Sequence, residues 1–201
     1  MPESVEPRPA ATVVLVRPGV AGLEVLLTHR PATMAFAPGM QVFPGGRVDD
    51  ADSHHRLTAR SAISADAAAA GLGGDLDPDA ALATYVAAIR EVFEEVGILL
   101  ADGPAHGDRS ATGPHTTADT SAARSRLLAD PAAFAAIADE LDLRLRTDLL
   151  VPLSRWVTPP NLARRFDARF FAAAMPEDAA ATLVGDEVLA HAWHRPIDAL
   201  E

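Results

Sequence analysis

The chain has 201 residues, enough for one domain with insertions, and 49% of them are apolar, which supplies a real core although much of that share is alanine. A formal net charge of −11 excludes a protein that wraps nucleic acid, which needs a basic face, and an anionic substrate would call for a divalent cation. Cysteine is absent, which rules out disulfides, thiolate metal sites and cysteine nucleophiles, and there is no lysine.

Residues 1–10 hold three prolines and little apolar content, which predicts a flexible tail ahead of one domain over residues 11–201. The longest early apolar run, residues 11–16, is too short for a signal sequence or a membrane span, so a soluble cytoplasmic protein is expected. Residues 11–17 (ATVVLVR) are β-branched and predict a buried strand. Pro18 and Gly19 mark a turn, and residues 23–30 (LEVLLTHR) its antiparallel partner. Residues 40–43 (MQVF) predict a short strand leading into a tight turn at Pro44, Gly45 and Gly46.

Residues 53–80 are rich in Ala, Asp, Gly and Ser and predict a surface excursion, with a short helix near residues 61–70. From residue 80 to 96 the pattern is helical: Ile89, Val92, Phe93 and Val96 form an apolar stripe, and Gly97 stands where a glycine ends a helix. Residues 101–121 predict a polar loop, followed by helices over 121–129 and 131–141, with Asp130 as N-cap before Pro131. Residues 149–158, 168–174 and 188–194 read as strands, and 196–201 as the start of a helix.

The chemistry concentrates in REVFEEVGI, residues 90–98, where Glu91, Glu94 and Glu95 share one helical face at i, i+3 and i+4. Acidic residues on a helix are usually its solvated side. Here like charges at this spacing repel by roughly 0.2–0.5 kcal/mol per pair. All three also lie near the helix C-terminus, where the macrodipole disfavours an exposed anion by about 0.3–1 kcal/mol. A bound divalent cation reverses both penalties. Mg²⁺ takes oxygen ligands, leaves positions for water and substrate, and lowers the pKa of a bound water.

The segment resembles the box of the Nudix hydrolases, Gly-x5-Glu-x7-Arg-Glu-U-x-Glu-Glu-x-Gly-U, where U is bulky and aliphatic. Residues 90–98 match its second half at every position. In the first half Gly46 is followed by Asp52 in place of glutamate, and 37 residues, 53–89, stand where the box has seven, so about 30 are inserted. The resemblance implies an α/β/α sandwich, a mixed sheet flanked by helices, with a long insertion inside the box at about 53–80. It implies Mg²⁺ or Mn²⁺ as cofactor and water attack at phosphorus. Glu94 and Glu95 then resemble the principal metal ligands, Glu91 the third ligand or general base, and Arg90 the residue that orients a glutamate. The Gly45 and Gly46 turn packs on the catalytic helix and meets substrate. Asp52 either binds metal, directly or through water, or is displaced by the insertion, with Asp49 and Asp50 as neighbours.

A second motif resembles family members that act on coenzyme A: LLTHR at residues 26–30, then Gly39, then Phe43-Pro44-Gly45-Gly46, all at the family's spacing. Pro31 and Ala35 depart from it, the latter removing an arginine. The interrupted box and residues 155–171 are similar to the subgroup that includes the peroxisomal coenzyme A diphosphatase of mammals. The expected substrate is therefore coenzyme A or an acyl derivative. ADP-ribose and other nucleotide diphosphates are the alternatives. A non-catalytic nucleotide sensor does not need three carboxylates, and a prenyl-diphosphate isomerase usually needs a cysteine. Arg30 reads either as a substrate ligand or as a surface arginine. Trp156 reads as core or pocket wall, or as an aromatic face for adenine. Glu187 is either a further carboxylate near the metal or a loop acid. No histidine is assigned as a ligand. The expected partner is a small nucleotide-diphosphate molecule, with neither nucleic acid nor membrane. Family members often form homodimers, but no exposed apolar helix here marks an interface.

Overall fold

The computed structural model describes residues 5–33, 38–103, 117–177, 179–184 and 188–200. The strands are β1 (Arg8–Gly19), β2 (Gly22–His29), β3 (Gln41–Val42), β4 (Gly45–Arg47), β5 (Ala101–Asp102), β6 (Arg144–Leu145), β7 (Val151–Val157), β8 (Phe166–Ala174) and β9 (Ala190–His194). The helices are α1 (His55–Thr58), α2 (Ala65–Gly71), α3 (Pro78–Val96), α4 (Thr117–Ala129) and α5 (Phe134–Glu140), with 3₁₀ turns at Asp50–Ser53, Pro131–Ala133, Thr147–Leu149 and Asp198–Leu200.

Seven strands form one mixed sheet in the order β3-β2-β1-β8-β7, with β4 paired to β1 and β9 to β2. The β1–β8 pair is parallel, and β1–β2 and β7–β8 are antiparallel. On β1, Ala11, Val13 and Leu15 are fully buried and join Ile89, Val92, Phe93 and Val96 of α3 in one core. Tyr85 of α3 tilts against Phe171 of β8, with centroids 4.7 Å apart. Full burial of each large apolar side chain contributes about 1.5–3 kcal/mol, so the stripe read from the sequence is what docks α3 on the sheet. Among the described residues no helix is long and apolar enough to cross a membrane.

The structure corrects several sequence expectations. Residues 8–10 belong to β1 and not to a tail, because the parallel pairing with β8 runs from Arg8 to Val16. Pro9 is tolerated there: its carbonyl accepts from the Val48 N–H at 3.0 Å. Gly45 and Gly46 lie on a strand, β4, paired with Thr12 and Ala11, and not on a turn. The 131–141 helix is divided into a 3₁₀ turn and α5, although Asp130 caps as predicted, accepting from Ala132 N–H at 3.0 Å. A 3₁₀ turn at Thr147–Leu149 delays β7 to Val151, and 196–201 yields only the 3₁₀ turn Asp198–Leu200. In the 101–121 stretch, Ala101 and Asp102 pair with β6, and α4 begins at Thr117. Residues 104–116 of that stretch, Ala35 and Glu187 lie outside the described residues.

The insertion differs most from its reading as a surface excursion. Leu57, Ala68 and Leu72 are buried, and α2 packs against α3. Ser64 caps α2, accepting from Ala67 N–H at 3.2 Å. A Cβ on Gly71 would run into the Tyr85 hydroxyl, so glycine permits the close approach of α2 to α3. Arg60 binds Asp139, Asp142 and the Leu143 carbonyl, each at 3.0 Å. At the other end Arg169, 5% exposed, donates to the Leu72 carbonyl at 3.0 Å and to both oxygens of Asp75.

Candidate active site

Asp77 starts α3 by accepting from Asp79 N–H at 3.0 Å, with Pro78 in the first turn. Gly97 ends it at φ 71°, where its N–H donates to the Phe93 carbonyl at 3.0 Å. Between these caps the apolar stripe faces the sheet, which turns Arg90, Glu91 and Glu94 toward the 3₁₀ turn at Asp50–Ser53 and toward β4.

Arg90 is the hub, 2% exposed. Its Nε and Nη2 grip the two oxygens of Asp52 at 2.7 and 3.0 Å, a bidentate pair. Nη1 donates to Glu91 at 2.9 Å and to Glu94 at 2.6 Å, and Nη2 also donates to the Arg47 carbonyl at 2.9 Å. Asp52 is fully buried, and its Oδ2 accepts from Asp49 N–H at 2.8 Å while Asp49 accepts from Ala51 N–H at 3.0 Å, a reciprocal capping box. Burial raises the Asp52 pKa despite the Arg90 contacts that pull it down.

The β4 glycines bring backbone against the glutamates. Gly45 N–H donates to Glu95 Oε2 at 3.2 Å. A Cβ on Gly46 would fall on the Glu91 carboxylate, and one on Gly45 on the β1 backbone. Burial pushes the Glu91 carboxyl up to about 7; Arg90 opposes this, while Glu94 and Asp52 add to it. Beside these groups opens a cleft of about 140 Å³, lined by Arg47, Asp49, Arg90, Glu91, Glu94 and Pro131. It is smaller than the roughly 300–1,000 Å³ of a drug-sized ligand pocket, so it suits an ion with its waters and not a whole nucleotide.

The donor set fits a divalent cation. Three carboxylates, Asp52, Glu91 and Glu94, bond to a single buried guanidinium. This gathers, among the described residues, acidic oxygens of the kind a divalent cation takes as ligands. Among the described residues no three acidic or histidine side chains converge as a preassembled metal site.

Arg90, Glu91, Glu94, Glu95, Gly45 and Gly46 are thus brought together. Asp52, expected among the metal acids, anchors Arg90, with both its oxygens engaged by the guanidinium. Trp156 is neither core nor wall of this cleft: it lies on edge strand β7, 69% exposed, beside Phe170. Arg30 is half-buried just past β2, and its Nε is buried with no acceptor among the described residues. Sequence reasoning missed Arg47 and Pro131 as cleft residues. Pro131 carried only a helix-start signal, and its approach to the site depends on tertiary packing.

A family model described as the NUDT19 Nudix domain matches residues 59–201. The chain is similar to the human acyl-coenzyme A diphosphatase NUDT19, 30% identical over 215 residues that cover 92% of this chain and 56% of that protein. It is similar also to the acyl-coenzyme A diphosphatase NUDT19 of Gallus gallus, 29% identical, covering 91% of this chain and 57% of that protein. The chain therefore spans a little over half the length of these curated relatives. Among solved structures, a NUDIX hydrolase from Alicyclobacillus acidocaldarius matches with a TM-score of 0.74 at 31% identity, covering 98% of this chain and 83% of that one.

Proposed function

The chain belongs to the Nudix hydrolase family, and from that membership we propose that it hydrolyses a nucleoside-linked diphosphate with Mg²⁺ or Mn²⁺, coenzyme A or acyl-coenzyme A being the substrate. The observation that carries the reading is the convergence of Asp52, Glu91 and Glu94 on the buried Arg90 beside the cleft. Glu94 and Glu95 are the principal metal ligands, and Glu91 is the third ligand or the base for the attacking water. A bound divalent ion supplies charge screening of the diphosphate and a water acidic enough to react near neutral pH.

The chain's own residues set the geometry. Asp52 holds Arg90, and Arg90 holds Glu91 and Glu94 by charge-assisted bonds. Gly45 N–H fixes Glu95. In the metal-free protein burial raises the Glu91 carboxyl to about 7, so it holds a proton more readily than an exposed glutamate. Glu91→Gln separates its two roles: a lost ligand weakens Mn²⁺ binding, whereas a lost base lowers kcat at unchanged Mn²⁺ affinity.

Three facts support the coenzyme A assignment: the LLTHR and FPGG spacing, the name borne by the human relative, and the Arg30 guanidinium whose Nε lacks an acceptor among the described residues. Pro31 and Ala35, where the coenzyme A pattern has other residues, favour a second reading, ADP-ribose or another nucleotide diphosphate. Incubation with Mg²⁺ and each candidate, with products identified by mass, decides between them. Release of 4′-phosphopantetheine and adenosine 3′,5′-bisphosphate supports the first reading; preferential cleavage of ADP-ribose overturns it. Loss of turnover in Glu94→Gln and Glu95→Gln with the fold retained is expected, and full activity in both would sink the metal assignment.

A further inference from the structure

The last turn of α3 is gripped from outside by a buried cation, and we propose that Arg124 is a positioning residue that sets Glu94 and Glu95 for metal binding. The proposal rests on the metal-dependent reading above. Arg124 projects from α4 and is 3% exposed. Its Nε donates to the Glu94 carbonyl at 2.9 Å, and its Nη1 donates to the carbonyl and hydroxyl of Thr182 at 2.9 and 3.0 Å. Thr182 N–H in turn donates to the Val96 carbonyl at 2.9 Å. Two segments far apart in sequence thus meet on the carbonyl end of α3.

The Glu94 carbonyl belongs to the peptide unit that joins Glu94 to Glu95. Fixing that plane fixes the directions in which both side chains leave the helix, without touching either carboxylate. Arg124 does not line the cleft, so it acts through this backbone contact.

Arg124 carries a burial cost that its contacts with the end of α3 must offset. Among the described residues Arg124 has no carboxylate partner, and its Nη2 is buried with no hydrogen bond. Burial alone pulls its pKa down. A buried guanidinium with no carboxylate partner among the described residues is unfavourable, and an apolar side chain beside the buried Ala123 and Leu127 would avoid that penalty. The compensation lies at the end of α3, where the macrodipole and the glutamates accumulate negative charge. Gly97 leaves the room required: a Cβ there would collide with Thr182 Oγ1 and Arg124 Nη1. The glycine that ends the helix is also the gap through which the guanidinium reaches it.

The test compares wild type, Arg124→Met and Arg124→Lys in three measurements: Mn²⁺ affinity from the electron-paramagnetic signal of the free ion, thermal unfolding without metal, and kcat and KM with coenzyme A. Arg124→Met is expected to weaken Mn²⁺ binding and lower kcat by about 10–100-fold, with substrate KM little changed, as for residues that orient metal ligands. Arg124→Lys should recover part of both. Mn²⁺ affinity and kcat equal to wild type in a folded Arg124→Met overturn the proposal, as does a loss that simply follows the unfolded fraction. Should Arg124→Met not fold, Thr182→Val decides, since it removes one Arg124 acceptor and keeps side-chain shape: a smaller loss of Mn²⁺ affinity supports the proposal, and none overturns it. Wild type that binds no Mn²⁺ would overturn the metal reading itself, a result distinct from wild-type binding with indifferent variants.

Discussion

Asp52 and Arg90 show how much a single pair carries at this site. The carboxylate is fully buried, the guanidinium nearly so, and the contact is bidentate. If Asp52 were a metal ligand, removing its charge would relieve repulsion among the acids and stabilise the metal-free protein. As the anchor of Arg90 its loss has the opposite sign, because it strips a buried cation of its best partner. Asp52→Asn is therefore expected to lower the metal-free unfolding free energy, toward the low end of the about 3–5 kcal/mol typical of broken buried pairs, since Glu91 and Glu94 still hold Arg90. Denaturant unfolding in chelator measures it, and a stabilised variant would contradict the anchoring role. Arg90 and the glutamates were legible in the sequence because helical spacing alone puts them on one face. The partner of Asp52 was not, because 38 residues separate it from Arg90 and only the folded insertion closes that distance.

At the scale of elements, period and caps carried the reading where structure is local. The α3 stripe, its Gly97 stop and the Asp130 cap lie where the pattern puts them. Pairing with distant strands defeated it elsewhere: β8 recruits residues 8–10 into β1, and β1 draws Gly45 and Gly46 into a strand. The insertion was misjudged because alanine, glycine and aspartate look like solvent-facing filler. In the fold Gly71 lets α2 approach α3, and Asp75 is tied by Arg155 of β7 and Arg169 of β8. Arg169 closes the insertion onto the sheet through Leu72 and Asp75. Arg169→Met should keep the buried volume but release that closure. Expected is faster hydrogen exchange over residues 65–77, with a stability loss of about 1–3 kcal/mol from the unpaired Leu72 carbonyl and lost charged bonds. Unchanged exchange there would mean that Arg155, Arg60 and the apolar contacts hold the insertion without Arg169.

For the whole molecule the decisive balance is between burial and carboxylate charge, and it makes stability depend on pH. Glu91 releases its proton near 4.5 in the unfolded chain but near 7 in the fold. Through that window the native state holds a proton that the unfolded state has lost, so the Glu91 contribution to metal-free stability falls as pH rises from about 4.5 to about 7. Asp52, also raised, adds in the same direction. The lowered carboxyls Asp75, Glu140, Asp148 and Asp198 act below this window, because their contribution is lost only as pH falls through their depressed values. On the proposed reading a divalent ion would bind the deprotonated glutamates and displace that proton, so its stabilisation would grow with pH. At a concentration one hundred times the dissociation constant the gain reaches about 2.7 kcal/mol. Thermal unfolding at pH 5, 6, 7 and 8, with and without Mg²⁺, should show a metal-induced rise in Tm that is small at pH 5 and largest at pH 8. In Glu91→Gln the metal-free decline between pH 5 and 7 should flatten. A metal-induced shift equal at pH 5 and pH 8 would mean that the buried carboxylates near Arg90 are not where the ion binds.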